Sequence, residues 1–132
     1  MPKIIDFPAL NIADGIEIDP ECEDEIYAVL EKSEVMKFAA AYRERIRLLS
    51  TYREKAISVH PKWFEQLKHV GAELFSMHIA NVGNMRILYY VGRRTIVLLC
   101  AFLESEGKGK RRKSYVQYIP VALERMKRYE EE

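Results

Sequence analysis

The sequence predicts an α+β fold: a helical hairpin packed on a small, mostly antiparallel β-sheet, with a C-terminal helix. Three observations predict it. Apolar residues recur at helical spacing between Val35 and Leu49. The stretch LFSMHIANVGNMRILYY, Leu74 to Tyr90, reads as two short strands around a tight turn. The apolar run Ile96–Leu103 supplies a third strand, and YVQYIPVALERMKRYEEE after it reads as a final helix.

The elements follow in order. PKIIDF at the start suits a short edge strand. NIADGIEIDP is turn-rich, and Asp19-Pro20 reads as an N-cap followed by Pro at the first helical position. A helix then runs to about Glu31, with Ile26, Val29 and Leu30 on one side. Ser33 is a cap for a second, longer helix. Its apolar positions are Val35, Phe38, Ala39, Tyr42, Ile46 and Leu49. Arg43, Arg45, Arg47, Arg53 and Lys55 are read as a solvated outer face. His60-Pro61 ends the helical region, because the residue before Pro is pushed out of the helical well. KWFEQLKHV is expected to add one short helical turn, anchored by Trp63, Phe64 and Leu67. Strands follow at about 73–80, 84–91 and 94–103. Pro120 is placed in the first turn of the last helix, with Ala122, Met126 and Tyr129 facing inward.

The hairpin register follows from turn chemistry. Val82 tolerates positive φ poorly, so a three-residue loop, Asn81-Val82-Gly83, with Gly83 left-handed, is expected. That loop sets Ile79 opposite Met85, Met77 opposite Ile87, and Phe75 opposite Tyr89. On the other face it sets His78 opposite Arg86, Ser76 opposite Leu88, and Leu74 opposite Tyr90. A slip of one residue would mix the faces. A two-residue turn at Gly92-Arg93 would then align Tyr89 with Ile96, Ile87 with Leu98, and Met85 with Cys100. Val97, Leu99 and Ala101 would share the face of His78 and Arg86.

A length of 132 residues fits one domain over 1–132, with an acidic segment at 1–18 and a basic loop at 104–113. Apolar residues at 48% and charged residues at 31% exclude a disordered chain. The longest apolar run has eight residues, too few to span a bilayer, and no signal-peptide pattern opens the chain. No membrane is therefore expected, and the cytoplasm is the default compartment. Cys22 and Cys100 fit no metal spacing, and Cys100 reads as a buried reduced thiol. Residues 1–34 hold ten acidic and two basic groups, a balance of −8. Residues 35–129 stand at +12. Such a body suits a polyanionic partner, or else two faces of opposite sign compensate each other.

His78 and Arg86 admit two readings. Either Arg86 is bridged to a carboxylate such as Glu73 or Glu104, or it grips a phosphate while His78 handles a proton. The basic loop, with five cations among the six residues Lys108–Lys113, favours the second.

The strand LFSMHI, then NMRILYY, IVLLCAF, a Lys-rich loop and ALERMKRY resemble, in that order, the RelE/ParE superfamily of type II toxin–antitoxin toxins. The likeness is greatest to its HigB-like, phage-derived branch, and covers roughly Trp63 to Tyr129. Leu74, Phe75 and Ile79 match the first strand motif. Ser76, Met77 and His78 stand where Glu, Leu and Arg are usual. Arg86 matches the Arg opening the second strand motif, Phe102 the Phe before the basic loop, and Ala122 and Arg125 the Ala-x-x-Arg of the last helix.

The resemblance implies a small sheet with two helices on one face. It also implies a metal-free, cofactor-free mRNA endonuclease acting on ribosome-bound message, neutralised by an antitoxin with a helix-turn-helix. Catalysis would then fall to His78 as base or acid and to Arg86 as charge stabiliser, helped by Lys110, Arg111 or Lys113. Arg125 would reach the phosphate or cap an acidic neighbour. Lys108, Arg111, Arg112 and Lys113 would bind RNA. Tyr115 and Tyr118 would stack a base or pack along the helix edge. The alternative is a non-catalytic binding protein: an inactive toxin remnant or a relative directed at DNA gyrase.

Overall fold

Alternation along the central hairpin sets the architecture, since one face is apolar throughout and the other mixes apolar residues with Ser76, His78 and Arg86. The computed structural model describes residues 14–79, 83–104 and 110–130. In chain order these form β1 (Ile16–Ile18), α1 (Pro20–Val29), α2 (Val35–Tyr52), α3 (Ala56–Val59), β2 (Phe64–Gln66), β3 (Phe75–Ile79), β4 (Met85–Val91), β5 (Ile96–Leu103) and α4 (Lys110–Glu130). The five-stranded sheet has the order β1-β5-β4-β3-β2, with β1 parallel to β5 and every other pair antiparallel.

Both helices of the hairpin pack on one face of this sheet. Ile26 of α1 and Phe38, Tyr42, Ile46 and Leu49 of α2 bury against Met77, Ile79, Ile87 and Tyr89. On the other face Ala122 and Met126 of α4 meet Leu88, Val97, Leu99 and Phe102. Burying a large apolar side chain contributes about 1.5–3 kcal/mol, against about 0–1 for an exposed ion pair such as Lys127–Glu124. The apolar stripe therefore seats α4.

The caps and the hairpin follow the sequence closely. Asp19 caps α1, its carboxylate accepting the Glu21 N–H at 2.8 Å, with Pro20 in the first turn. All five β3–β4 pairs are those expected, Phe75–Tyr89 through Ile79–Met85, including His78–Arg86. Gly83 is left-handed, with φ +60°, as the turn requires. Residues 80–82 of that turn and the PKIIDF segment lie outside the described residues.

Several expectations are corrected. Ile16–Ile18, in the stretch read as turn, is a strand, because its amides pair with the open edge of β5. Ser33 does not cap α2. It lies exposed in a 3₁₀ turn, and no side chain caps that helix. Phe64–Gln66, read as helical, pairs with β3, whose edge amides offer more partners than one isolated turn would. Pro120 lies well inside α4, which starts at Lys110. The missing N–H is tolerated because Pro120 and Val116, one turn earlier, both face water.

The β4–β5 register also differs. The connection spans residues 92–95, closed by Gly92 N–H donating to Thr95 O at 3.0 Å, and Tyr89 faces Leu98 rather than Ile96. A β-bulge at Leu99 then shifts the ladder by one more residue, so Leu88 faces Cys100 and Arg86 faces Phe102. Cys100 and Phe102 consequently join the α4 side, and Ala101 joins the α1–α2 side.

Candidate functional site

Two chain directions define the site. β5 runs from the Gly92–Thr95 turn toward Leu103, whose partner is Met85 beside Arg86. α4 runs the opposite way, since Tyr115 contacts Phe102 while Tyr129 lines a cleft with Gly92 and Arg93. Its first turn, with Lys110, Arg111, Arg112 and Lys113, therefore belongs to the His78–Arg86 end of the sheet. The helix N-terminus adds partial positive charge there. This corrects the loop expected over 104–113: residues 110–113 are helical. Their side chains, and Lys108, lie outside what is described.

At that end Arg86 is 7% exposed. Its Nε donates to Glu104 Oε2 at 2.5 Å, and Nη1 lies 3.6 Å from Glu65 Oε1. The guanidinium sits 6.0 Å from the Tyr115 ring centre, the outer limit for a cation–π contact. The β4–β5 register makes this possible, because it sets Phe102 opposite Arg86, with Glu104 two residues on. Tyr115 donates to Glu65 Oε1 at 3.1 Å, and Ser76 Oγ lies 3.0 Å from the same hydroxyl. Burial first of all raises the Tyr115 pKa, so the hydroxyl keeps its proton.

His78 is half-buried beside Arg86, with Nε2 3.3 Å from Asn84 Oδ1. Burial, then the positive charge of Arg86, lowers its pKa below the usual 6.5, so the imidazole is neutral at pH 7. A neutral imidazole accepts a proton; it does not supply one. A cleft of about 200 Å³ opens beside the pair, lined by Pro61, Lys62, Trp63, Phe64, Glu65 and Arg86.

Other expected site residues lie elsewhere or are occupied. Arg125 caps acidic neighbours: it meets both Glu25 oxygens at 2.8 Å and Glu21 at 3.3 Å. It is thus committed to α1. Tyr115 is buried with its hydroxyl engaged, and Tyr118 stacks one face on Phe102 at 4.5 Å. Both pack along the helix edge. Cys22 and Cys100 are free and buried, and burial pushes the Cys100 thiol up to about 12. Among the described residues no His, Cys, Asp and Glu cluster could hold a metal, and no helix is long and apolar enough to cross a membrane.

One residue at this end escaped the sequence reading. Arg45, assigned there to the solvated face, is 4% exposed. Its Nε donates to the His78 carbonyl at 2.7 Å, and its guanidinium carbon lies 4.2 Å from the Trp63 ring centre. The signal was present in the spacing. Arg45 follows Tyr42 by three residues and precedes Leu49 by four, which sets it on the buried stripe.

A larger cleft, about 770 Å³, lies at the opposite end of the sheet, between Glu17, Tyr90, Arg93, Arg94, Tyr129 and Glu130. Its charged groups are exposed and of both signs. The His78–Arg86 end is the better candidate because it joins a buried cation to a titratable base. Against this geometry, comparison with protein-family models gives no match, and comparison with curated proteins gives none either.

Proposed function

We propose that this protein is a RelE-like toxin: a cytoplasmic, metal-free endonuclease of ribosome-bound mRNA, restrained by an antitoxin with a helix-turn-helix. One observation carries the reading: a neutral, half-open imidazole beside a guanidinium, at the sheet end where α4 begins with four cations. The two helices on one sheet face agree with the fold that the resemblance implies.

RNA brings its own nucleophile, the 2′-hydroxyl. His78 takes its proton as the oxygen attacks phosphorus. Negative charge grows on the phosphorane oxygens, and Arg86 stabilises it once the phosphate displaces the half-exposed Glu65. The bond to the 5′-oxygen breaks, leaving a cyclic 2′,3′-phosphate. The departing oxygen takes a proton from the basic first turn of α4, where Lys110 and Lys113 are the donors. General base help is worth about 10²–10⁴-fold, and one oriented charge donor about 10²–10³-fold. Those sizes suffice when the ribosome orients the message.

The test is induced expression of the wild type, His78→Ala and Arg86→Ala, with growth and mRNA integrity followed together. The reading expects growth arrest with message cleavage in the wild type, and loss of both in folded His78→Ala. Intact message under the wild type overturns it. A second reading has its own support, the double carboxylate hold on Arg86. A guanidinium so neutralised suits a binding protein without catalysis. That reading expects intact message, with DNA damage in the gyrase-directed case and no arrest in the inactive case.

A further inference from the structure

The environment of His78 has a contributor from outside its own hairpin. We infer that Arg45 is a positioning residue: from α2 it fixes where the His78 imidazole stands and which charge it meets. This rests on the reading that His78 carries the proton.

The contacts form a closed triangle. Arg45 Nε holds the His78 carbonyl at 2.7 Å, and the His78 N–H donates to Trp63 O at 2.7 Å. The Arg45 guanidinium lies over the Trp63 ring, and its Nη1 reaches back to Ala41 O at 3.2 Å. The backbone of His78 is thus gripped on both its polar groups, and the two grips brace each other. Trp63 is itself steadied by His60, stacked at 4.1 Å with 8° between the rings.

The cost of this arrangement argues for a role beyond packing. Among the described residues Arg45 meets no carboxylate in an ion pair, only carbonyls and an indole. Burying a guanidinium costs several kcal/mol. Leu or Met would fill the same stripe position without that cost. A flat guanidinium is needed to lie over an indole and donate sideways at once.

The imidazole is faced by Arg86 from β4, Asn84 from the turn, Glu104 beyond β5 and Arg45 from α2. The α4 first turn brings Lys110, Arg111, Arg112 and Lys113 to the same end. Burial and then the Arg86 charge do most to keep the ring unprotonated, opposed by the Asn84 contact and by Glu104, which bonds Arg86 at 2.5 Å. Arg45 adds a smaller push in the same direction, and its grip on the His78 carbonyl keeps the imidazole in that half-buried place.

The experiment is a proton NMR titration of the three histidines in the full chain, for wild type, Arg45→Met and Arg45→Lys. The His78 midpoint is expected to rise in Arg45→Met and to stay low in Arg45→Lys. His69, exposed and outside the contacts of the triangle, serves as the control. Exchange of the His78 amide is expected to quicken in Arg45→Met. A folded Arg45→Met with an unmoved His78 midpoint overturns the inference. Should Arg45→Met not fold, Trp63→Leu frees the guanidinium from its stack, and an unmoved midpoint there overturns it equally. Where wild type cleaves RNA, the acidic limb of the pH–rate profile shifts with the midpoint. Absence of cleavage removes the nuclease reading, while the titration still decides the role of Arg45.

Discussion

Arg125 and Glu25 meet as a two-fold pair, Nη1 to Oε1 and Nη2 to Oε2, both at 2.8 Å. They stand where β5 loses its outer neighbour. β1 ends at Ile18, opposite Leu98. Beyond it the Leu99 carbonyl accepts from Arg125 Nη1 at 2.8 Å, and the Ala101 N–H donates to Glu25 Oε1 at 3.1 Å. The pair therefore does the work of a missing strand. It closes a backbone edge that would otherwise be open to pairing with another chain. It also joins the acidic N-terminal third to the basic body, with help from Arg128 on Asp19 and Glu21.

Arg125→Met is expected to destabilise the fold by about 3 kcal/mol, the low end for breaking a buried pair, because Glu25 is 27% exposed. Urea unfolding measures it. Glu25→Gln keeps one acceptor for Arg125 and should cost less. Equal, near-zero costs for both would show that the pair is ornamental and that β1 alone secures this edge.

His78 gives the fold a pH dependence of known sign. Its folded pKa lies below the usual 6.5. Between the two values the unfolded chain binds the proton and the folded chain does not, so stability rises with pH across that window and falls as pH drops through it. Below the folded pKa both forms are protonated and the slope from this group vanishes. His78→Gln should flatten stability against pH just under 6.5, read from urea midpoints at several pH values. A steeper slope in the variant would contradict the assignment.

What the sequence disclosed and what it hid have physical reasons. The β3–β4 register was legible because one face is uniformly apolar and Gly83 permits only a few turns. The β4–β5 register was not. Val97, Leu98, Leu99 and Cys100 are apolar on both faces, so a two-residue shift and a bulge leave no mark in the pattern. β2 was hidden because Glu65 and Gln66 favour helix locally, and β3 overrides them. The His78–Arg86 juxtaposition was foreseen. The Glu65 hold on Arg86 was not, since it depends on β2.

Two tyrosines should respond to the same substitution with opposite signs. Tyr89 is fully buried, and its hydroxyl is the one buried side-chain polar atom without a partner among the described residues. Its ring stacks on Phe75 at 5.4 Å and meets Phe64 edge-on. Tyr89→Phe keeps these contacts and removes a desolvated hydroxyl, for an expected gain of about 1 kcal/mol. Tyr115→Phe removes a donor to Glu65 and a partner of Ser76, for an expected loss of about 1–2 kcal/mol. Thermal unfolding of both variants reads the contrast. A destabilised Tyr89→Phe would point to a bound water on that hydroxyl.

Leu99 tests what the bulge contributes beside Arg125. It is the extra residue between the pairs Tyr89–Leu98 and Leu88–Cys100. Leu99→Ala keeps the extra residue and loses only packing, a cost of about 2–4 kcal/mol. Deleting Leu99 lets Cys100 follow Leu98 in regular alternation, so the Leu88–Cys100 and Arg86–Phe102 pairs are kept and Glu104 still faces Arg86. Besides the side chain, the deletion removes the Leu99 carbonyl, which accepts from Arg125 Nη1 at 2.8 Å. The deletion is therefore expected to cost about 1–3 kcal/mol more than Leu99→Ala in urea unfolding. Equal stability of the two variants would mean that the Arg125 grip on the strand contributes nothing there.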